Sequence, residues 1–329
     1  MPANVTPEYR KAEEMFRQAG TAQEKITALE LMLSTIPKHK GTEHMQSDIK
    51  RRLAKLREGN QGKAAKGGVD IFHVPRGAAA GQVALLGTPN SGKSALVAAL
   101  TKAHVEVADY PFATHAPVPG MMHFEDIQIQ LVDMPPITRE HVEPGQTNTY
   151  RHCDLILVVL DLATPGVLEE LEICWEYLHE RTLIPPEGEE VEGAVYAQMC
   201  RPVLAVASKV DLAKEGDLEV LREMAPTWLE IVAVSVKDAA ILAAFSRRLF
   251  ERLGIVRVYS KIPGKKADMH DPFTLPVGST VEDLAVKVHR DLAEKLRFAR
   301  AWGEGKFDAQ QVPRDYAIQD RDVIELHFA

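Results

Sequence analysis

The chain has 329 residues, 45% of them hydrophobic and 26% charged, with a formal net charge of −8. This length allows two or three domains with sizeable cores, and the composition is that of a globular protein in water. No run of about 18 apolar residues occurs, which excludes a membrane-spanning helix. The first residues, Met1-Pro2-Ala3-Asn4-Val5-Thr6-Pro7, lack the basic and apolar regions of a signal peptide, so a cytoplasmic protein is expected. Cys153, Cys174 and Cys200 have no metal-like spacing and are expected to act as small apolar residues in a reducing compartment.

The charge is uneven. Residues 1–68 carry 13 Lys+Arg against 8 Asp+Glu, residues 69–254 carry 14 against 27, and residues 255–329 carry 12 of each. A basic end on an acidic chain suits a polyanionic partner, and equally suits a solvated helical face.

Residues 1–68 read as a helical region. Thr6-Pro7 has the form of an N-cap followed by a first-turn proline. Tyr9, Ala12, Met15 and Phe16 recur at helical spacing, and Gly20-Thr21 breaks the pattern. Ile26, Leu29, Leu31, Met32 and Leu33 carry a second helix to Ile36-Pro37. A third, from about Thr42 to Glu58, sets Ile49, Leu53 and Leu56 on one stripe. Lys50, Arg51, Arg52, Lys55 and Arg57 surround that stripe, and Gly59 to Gly68 reads as a polar link.

Residues 69–254 alternate apolar runs with helical stretches, the pattern of a parallel sheet wrapped by helices. Ile71 to Val74 reads as a leading strand or as a segment laid against the sheet. Met121–Phe124 and Ile127–Val132 read as an antiparallel pair turning at Glu125-Asp126. Strands are expected at 155–160, 203–207 and 231–234, helices at 167–181 and 241–253, and a surface loop at 182–199. Residues 255–329 change character. Two strands, a helix opened by a capping-box pattern from Thr280 to Asp283, and further strands at 298–302 and 323–326 suggest a small β-grasp module. That helix is expected to carry Leu284, Val286, Val288, Leu292 and Leu296. Phe298 and Trp302 suit core packing or stacking on a base.

Gly87-Thr88-Pro89-Asn90-Ser91-Gly92-Lys93-Ser94 fits G-x-x-x-x-G-K-[ST] at every fixed position. An apolar strand precedes it, and Ala95 to Leu100, rich in helix formers, follows. This is the context of a phosphate-binding loop. Glycines let the backbone curl around an anion, and the helix N-terminus points amides at it. Lys93 is expected to reach the β- and γ-phosphates, and Ser94 to ligate Mg²⁺.

Three more candidates lie at predicted strand ends, which in such a sheet open on one edge. Asp133 can hold Mg²⁺ through a water. In Lys209-x-Asp211, the Asp can accept paired bonds from guanine N1–H and its exocyclic amine, a pair adenine does not offer, while the stem of Lys209 can lie over a base. The loop Ser235-Val236-Lys237 can bring a backbone amide to guanine O6.

Taken together, residues 71–254 resemble an Obg-type GTPase domain. Ala108-Asp109-Tyr110-Pro111-Phe112-Ala113-Thr114 is similar to that family's first switch, and the resemblance implies that Thr114 binds Mg²⁺ and senses the γ-phosphate. The tail, with Pro263-Gly264-Lys265, Gly278 to Leu284 and His289-Arg290-Asp291-Leu292, is similar to a TGS domain. With the helical N-terminus, the whole resembles the developmentally regulated GTP-binding (DRG) branch. The resemblance implies GTP/GDP and Mg²⁺ binding, slow GTP hydrolysis, and a ribosome or structured RNA as partner through the TGS domain and the basic helices, with no membrane. Asn90 matches the residue that helps coordinate K⁺ in potassium-stimulated relatives.

Three positions bear on hydrolysis and base binding. Ile137 stands where Ras-like enzymes have a water-orienting Gln, and Obg-type relatives likewise carry an apolar residue there. Pro136 replaces the glycine of D-x-x-G, whose amide donates to the γ-phosphate, and proline has no N–H. Ser208 replaces the usual Asn or Thr and offers a shorter tie to the P-loop. The expected protein is therefore a slow GTPase, with Lys93, Thr114 and Asn90 acting on the reaction. The alternative is a guanine-nucleotide-dependent RNA- or ribosome-binding module with negligible catalysis.

Overall fold

The computed structural model describes residues 71–101, 116–185 and 200–328, and in the N-terminal part residues 22–36, 45, 46, 48–53 and positions 9, 12 and 16. The chain divides into two compact units, Met1–Asp70 and Ile71–Ala329.

In the first unit α1 spans Ala22–Thr35, a stretch without glycine or proline. Leu29, Met32 and Ile36 share one face by helical spacing, and cluster with Tyr9, Ala12, Ile49 and Leu53. This is the expected packing of helices. The caps at Thr6-Pro7 and Gly20-Thr21, and the link at 59–68, lie outside the described residues. Arg51 and Arg52 each pair with Asp48, at 2.7 and 2.9 Å. Lys50, Arg51 and Arg52 are exposed, and such pairs hold a basic face only loosely.

The second unit opens with a six-stranded sheet. Its strands are β1 (Gly81–Leu86), β2 (Val118–Phe124), β3 (Ile127–Asp133), β4 (Leu155–Asp161), β5 (Val203–Ser208) and β6 (Ile231–Ala233). The order is β2-β3-β1-β4-β5-β6. Only β2 runs antiparallel, paired with β3 across the Glu125-Asp126 turn. Every residue of β1 and β5 is buried. Alternate side chains enter two cores on opposite faces, Ala84 and Leu86 in one, Val83 and Leu85 in the other. A strand buried on both faces reads as a continuous apolar run, which is why these strands were visible in the sequence.

Helices α2 (Lys93–Thr101), α3 (Gln146–His152), α4 (Val167–Glu180), α5 (Asp217–Met224) and α6 (Ala239–Leu253) complete this layer. Asp238 caps α6 by accepting from the amides of Ala240 and Ile241. Residues 71–74 form no strand. Phe72 is buried, Phe72 O accepts from Thr149 Oγ1, and Val74 O accepts from buried Gln82. The segment is thus laid against the sheet. Cys153 and Cys174 are buried and burial pushes their thiols up to about 12, so they act as apolar fillers.

The second sheet holds β7 (Ile255–Ser260), β8 (Phe273–Pro276), β9 (Leu296–Trp302), β10 (Gln310–Val312) and β11 (Asp322–Phe328), in the order β10-β9-β11-β7-β8. The helix α7 (Val281–Val288) begins at Thr280 with the expected capping box and packs Val281, Leu284 and Ala285 into the sheet's core. It is shorter than expected. His289 is extended, a four-residue helix α8 (Arg290–Ala293) follows, and Leu296 opens β9 instead of continuing the helix. Phe298 and Trp302 are not in this core, which takes Ala299 and Ala301 from the opposite side of β9. Phe298 stacks on His327, and Trp302 lies under the Lys261 ammonium.

A charged clamp joins the two sheets. Arg257 of β7, 3% exposed, bonds Glu125 and Asp126 at the β2–β3 turn and also Asp320. Its guanidinium lies over the Phe250 ring, 4.9 Å from the centroid, and Tyr259 donates to Asp126. Arg257 and Arg321 hold Glu125 below its ordinary range, and Asp126 and Asp320 are also lowered despite burial. Removing Arg257 leaves three carboxylates together with no central cation. Arg257→Met is therefore expected to cost about 3–5 kcal/mol in urea unfolding at pH 7. Folded carboxylates held low contribute stability that is present above their unfolded values and lost as the pH falls through the folded ones. The deficit should accordingly narrow below about pH 4; a deficit constant down to pH 3 would show that the charges do not form the clamp.

Candidate nucleotide-binding site

The C-terminal ends of β1, β3, β4, β5 and β6 lie on one edge of the first sheet, as parallel pairing requires. The loop 87–94 leaves β1 there and runs into α2. Its two glycines are required for different reasons, contact at Gly87 and backbone conformation at Gly92. A Cβ on Gly87 would lie 2.6 Å from Val159 O, and Gly92 has a φ of +100° beside the Ser208 hydroxyl. The first turn of α2 is closed by a bond from Leu96 N–H to Gly92 O at 2.9 Å. The amides of Lys93, Ser94 and Ala95 precede it, at the open N-terminal end of the helix.

Lys93 is 6% exposed. Its ammonium donates to Gly87 O at 3.1 Å, Thr88 O at 2.8 Å and the Ser91 hydroxyl at 3.4 Å. Burial lowers its pKa from 10.5 to about 8, a shift the Asp133 carboxylate partly opposes. Ser94 Oγ donates to Asp133 Oδ2 at 2.6 Å. Asp133 is 1% exposed, and burial raises it above the usual carboxyl range against the pull of Ser94 and Lys93. Its second oxygen, Oδ1, is buried without a hydrogen-bond partner. A hydroxyl and a carboxylate with a spare buried oxygen are the hard donors that Mg²⁺ takes.

Ser208 makes the expected tie, donating from Oγ to Ser91 O at 2.7 Å. Lys209 reaches back to donate to Asn90 O at 2.9 Å. Asp211 accepts from Ser235 Oγ at 2.8 Å and pairs with Lys237 at 2.9 Å. The Lys237 bond, then the Ser235 bond, lowers its pKa, which keeps an exposed carboxylate ionised. Val236 is 41% exposed beside them. The edge thus gathers Gly87, Asn90, Ser91, Gly92, Lys93, Ser94, Ala95, Asp133, Ser208, Lys209, Asp211 and Ser235 to Lys237. Thr114 lies outside the described residues.

Several contacts of the site were not foreseen. Ile137 N–H donates to Gly87 O at 3.1 Å, and Ile137 itself is fully buried. Gln146 donates to Pro135 O at 2.6 Å, and the Tyr150 hydroxyl to Leu85 O at 3.1 Å. The run 133–137 is buried throughout and pinned beneath the P-loop. Asp161 ends β4 on the same edge and pairs with Lys209 at 2.5 Å. An acid closing an all-apolar run was the signal for it.

A family profile described as a 50S ribosome-binding GTPase matches residues 82–186, and a TGS domain profile matches residues 256–327. An uncharacterised GTP-binding protein of Methanocaldococcus jannaschii is 27% identical over 361 residues, which cover 92% of each chain. Developmentally-regulated G-protein 1 of Arabidopsis thaliana is 27% identical over 366 residues, covering 92% of this chain and 90% of that one. Among solved structures, the G domain of the T. maritima FeoB iron transporter aligns with a TM-score of 0.38 at 23% identity, over 52% of this chain and 97% of that one.

An ammonium with a pKa of about 8 loses its charge in the upper physiological range. A phosphate ligand favours the charged form, so binding should take up protons near and above pH 8. Affinity for a phosphate ligand should fall with rising pH, approaching about tenfold per unit well above that value. Calorimetry of GDP binding in buffers of different ionisation heat checks this; a flat affinity from pH 7 to 9.5 with no proton uptake would contradict it.

Proposed function

We propose that the chain is a developmentally regulated GTP-binding protein, a GTPase domain followed by a TGS domain, and that it hydrolyses GTP slowly to GDP and phosphate. The observation that carries this is the buried Lys93 ammonium beside the Ser94–Asp133 pair, under a loop whose amides open on the same space. Ser94 and Asp133 would hold Mg²⁺, which neutralises phosphate charge when bound. Lys93 exchanges carbonyl partners for the β- and γ-phosphates. Thr114 would complete the metal side. Asp211, kept ionised by Lys237 and oriented by Ser235, accepts the two guanine donors. Asn90, exposed on a turn at φ 63°, is the proposed contact for K⁺, a cation that would add charge beside the phosphates.

The second switch explains the slow rate in this reading. Pro135 and Pro136 have no N–H to offer, and the next amide, of Ile137, is engaged by Gly87 O. The buried aliphatic chain of Ile137 cannot orient a water. Catalysis then rests on positioning and on the positive charge around the phosphates. The same observation favours a second reading, a guanine-nucleotide-dependent ribosome or RNA binder with negligible turnover. In either reading the partner is a ribosome or structured RNA in the cytoplasm, met by the TGS domain and by the exposed basic residues Lys50, Arg51 and Arg52.

Phosphate release at saturating GTP separates the two. We expect slow turnover, faster in K⁺ than in Na⁺, with the K⁺ stimulation lost in Asn90→Ala. Pro136→Gly restores an amide and should raise the preference for a GTP analogue over GDP by about 10–100-fold, the worth of one bond to a charged group. No turnover in either salt would favour the binding module, and an unchanged preference in Pro136→Gly would remove the second-switch explanation.

A further inference from the structure

Lys209 is the side chain that crosses from the base loop to the P-loop, and its ammonium has two partners there. One is Asn90 O at 2.9 Å, and the other is Asp161 Oδ2 at 2.5 Å. Asp161 ends β4 in direct register with Ser208, the last residue of β5. It is itself fixed. Its Oδ1 accepts from Ala163 N–H at 3.0 Å, and its own N–H donates to Glu170 Oε2 of α4 at 2.8 Å. The Asp161 side chain is 13% exposed and that of Lys209 35%. Lys209 and Asn90, the donor and acceptor of the first of the ammonium's bonds, both have left-handed backbones, at φ 56° and φ 63°. Non-glycine residues hold that conformation at a cost, and it concentrates where a ligand is clamped.

We propose that Asp161 is a positioning residue for guanine-nucleotide binding. Its carboxylate holds the Lys209 ammonium against the P-loop, so that the aliphatic stem forms a preset wall for the base. A free lysine stem samples many rotamers, and ordering it in advance removes that loss from the binding step. The inference rests on the guanine-binding reading of Asp211. It assigns the residue a task on the base side of the ligand, apart from the phosphates.

The test uses the full chain with Asp161→Asn, Lys209→Met, the double variant and Asp211→Asn. The probes are GDP, xanthosine diphosphate and inorganic pyrophosphate. Asp161→Asn keeps the side chain's size and its acceptor oxygen for Ala163 N–H. It should weaken GDP about tenfold, as should Lys209→Met, and the double variant should lose no more than the worse single one. Pyrophosphate affinity should stay within about twofold in Asp161→Asn, a result that general damage to the loop would not give. GDP affinity within about twofold of the parent, multiplying losses in the double variant, or an equal loss for pyrophosphate would overturn the inference. Asp211→Asn separates the layers. If it shifts preference to xanthosine diphosphate while Asp161→Asn has no effect, only the role of Asp161 fails. If it leaves GDP preferred, the guanine reading fails and this inference with it.

Discussion

A buried ammonium satisfied by backbone carbonyls is the interaction on which the nucleotide edge depends. Lys93 is surrounded by its own loop, bonding Gly87 O and Thr88 O, and burial has already lowered its pKa to about 8. That arrangement needs Gly87 to pass close to Val159 O and Gly92 to turn beside Ser208. It also needs α2 to be held against β1, which the packing of Leu96 and Val97 with Val83 and Leu85 in one core provides. The charge is strong because water is kept from it, and it is available because only dipoles hold it.

The same edge is tied laterally. Ser208 bonds Ser91 O and Lys209 bonds Asn90 O, so two bonds link the loop after β5 to the phosphate loop. The run 133–137 is tied downward, with Ile137 bonded to Gly87 O and Gln146 to Pro135 O. Far from the phosphates, Arg257 fastens the second sheet to the tip of the β2–β3 hairpin. That hairpin ends at Asp133, so one hydrogen-bonded ribbon runs from the clamp to the carboxylate beside Ser94.

Much of this was legible in the sequence, for physical reasons. Strands buried on both faces appear as unbroken apolar runs, and the P-loop's glycines and lysine stand at spacings that chemistry dictates. The Thr280–Asp283 capping box was visible because its two partners are three residues apart. What escaped depended on distant pairs. Arg257 meets Glu125 across 132 positions, and Lys209 meets Asp161 across 48. The end of α7 was misjudged because Leu292 and Leu296 continue a helical spacing that the extended His289 interrupts. Phe298 and Trp302 fit a core by composition, yet strand alternation sends Ala299 and Ala301 inward in their place.

The most direct measurement is a calorimetric titration of the whole chain with GDP in Mg²⁺ buffer, with ADP as the comparison. Lys93 and the loop amides offer both ligands the same phosphate cradle, and Asp211 is the side chain proposed to distinguish the bases. GDP binding at one site per chain, with ADP at least about 100-fold weaker, is the predicted result. Equal binding of the two would remove Asp211 as the base selector, and binding of neither would contradict the nucleotide site itself.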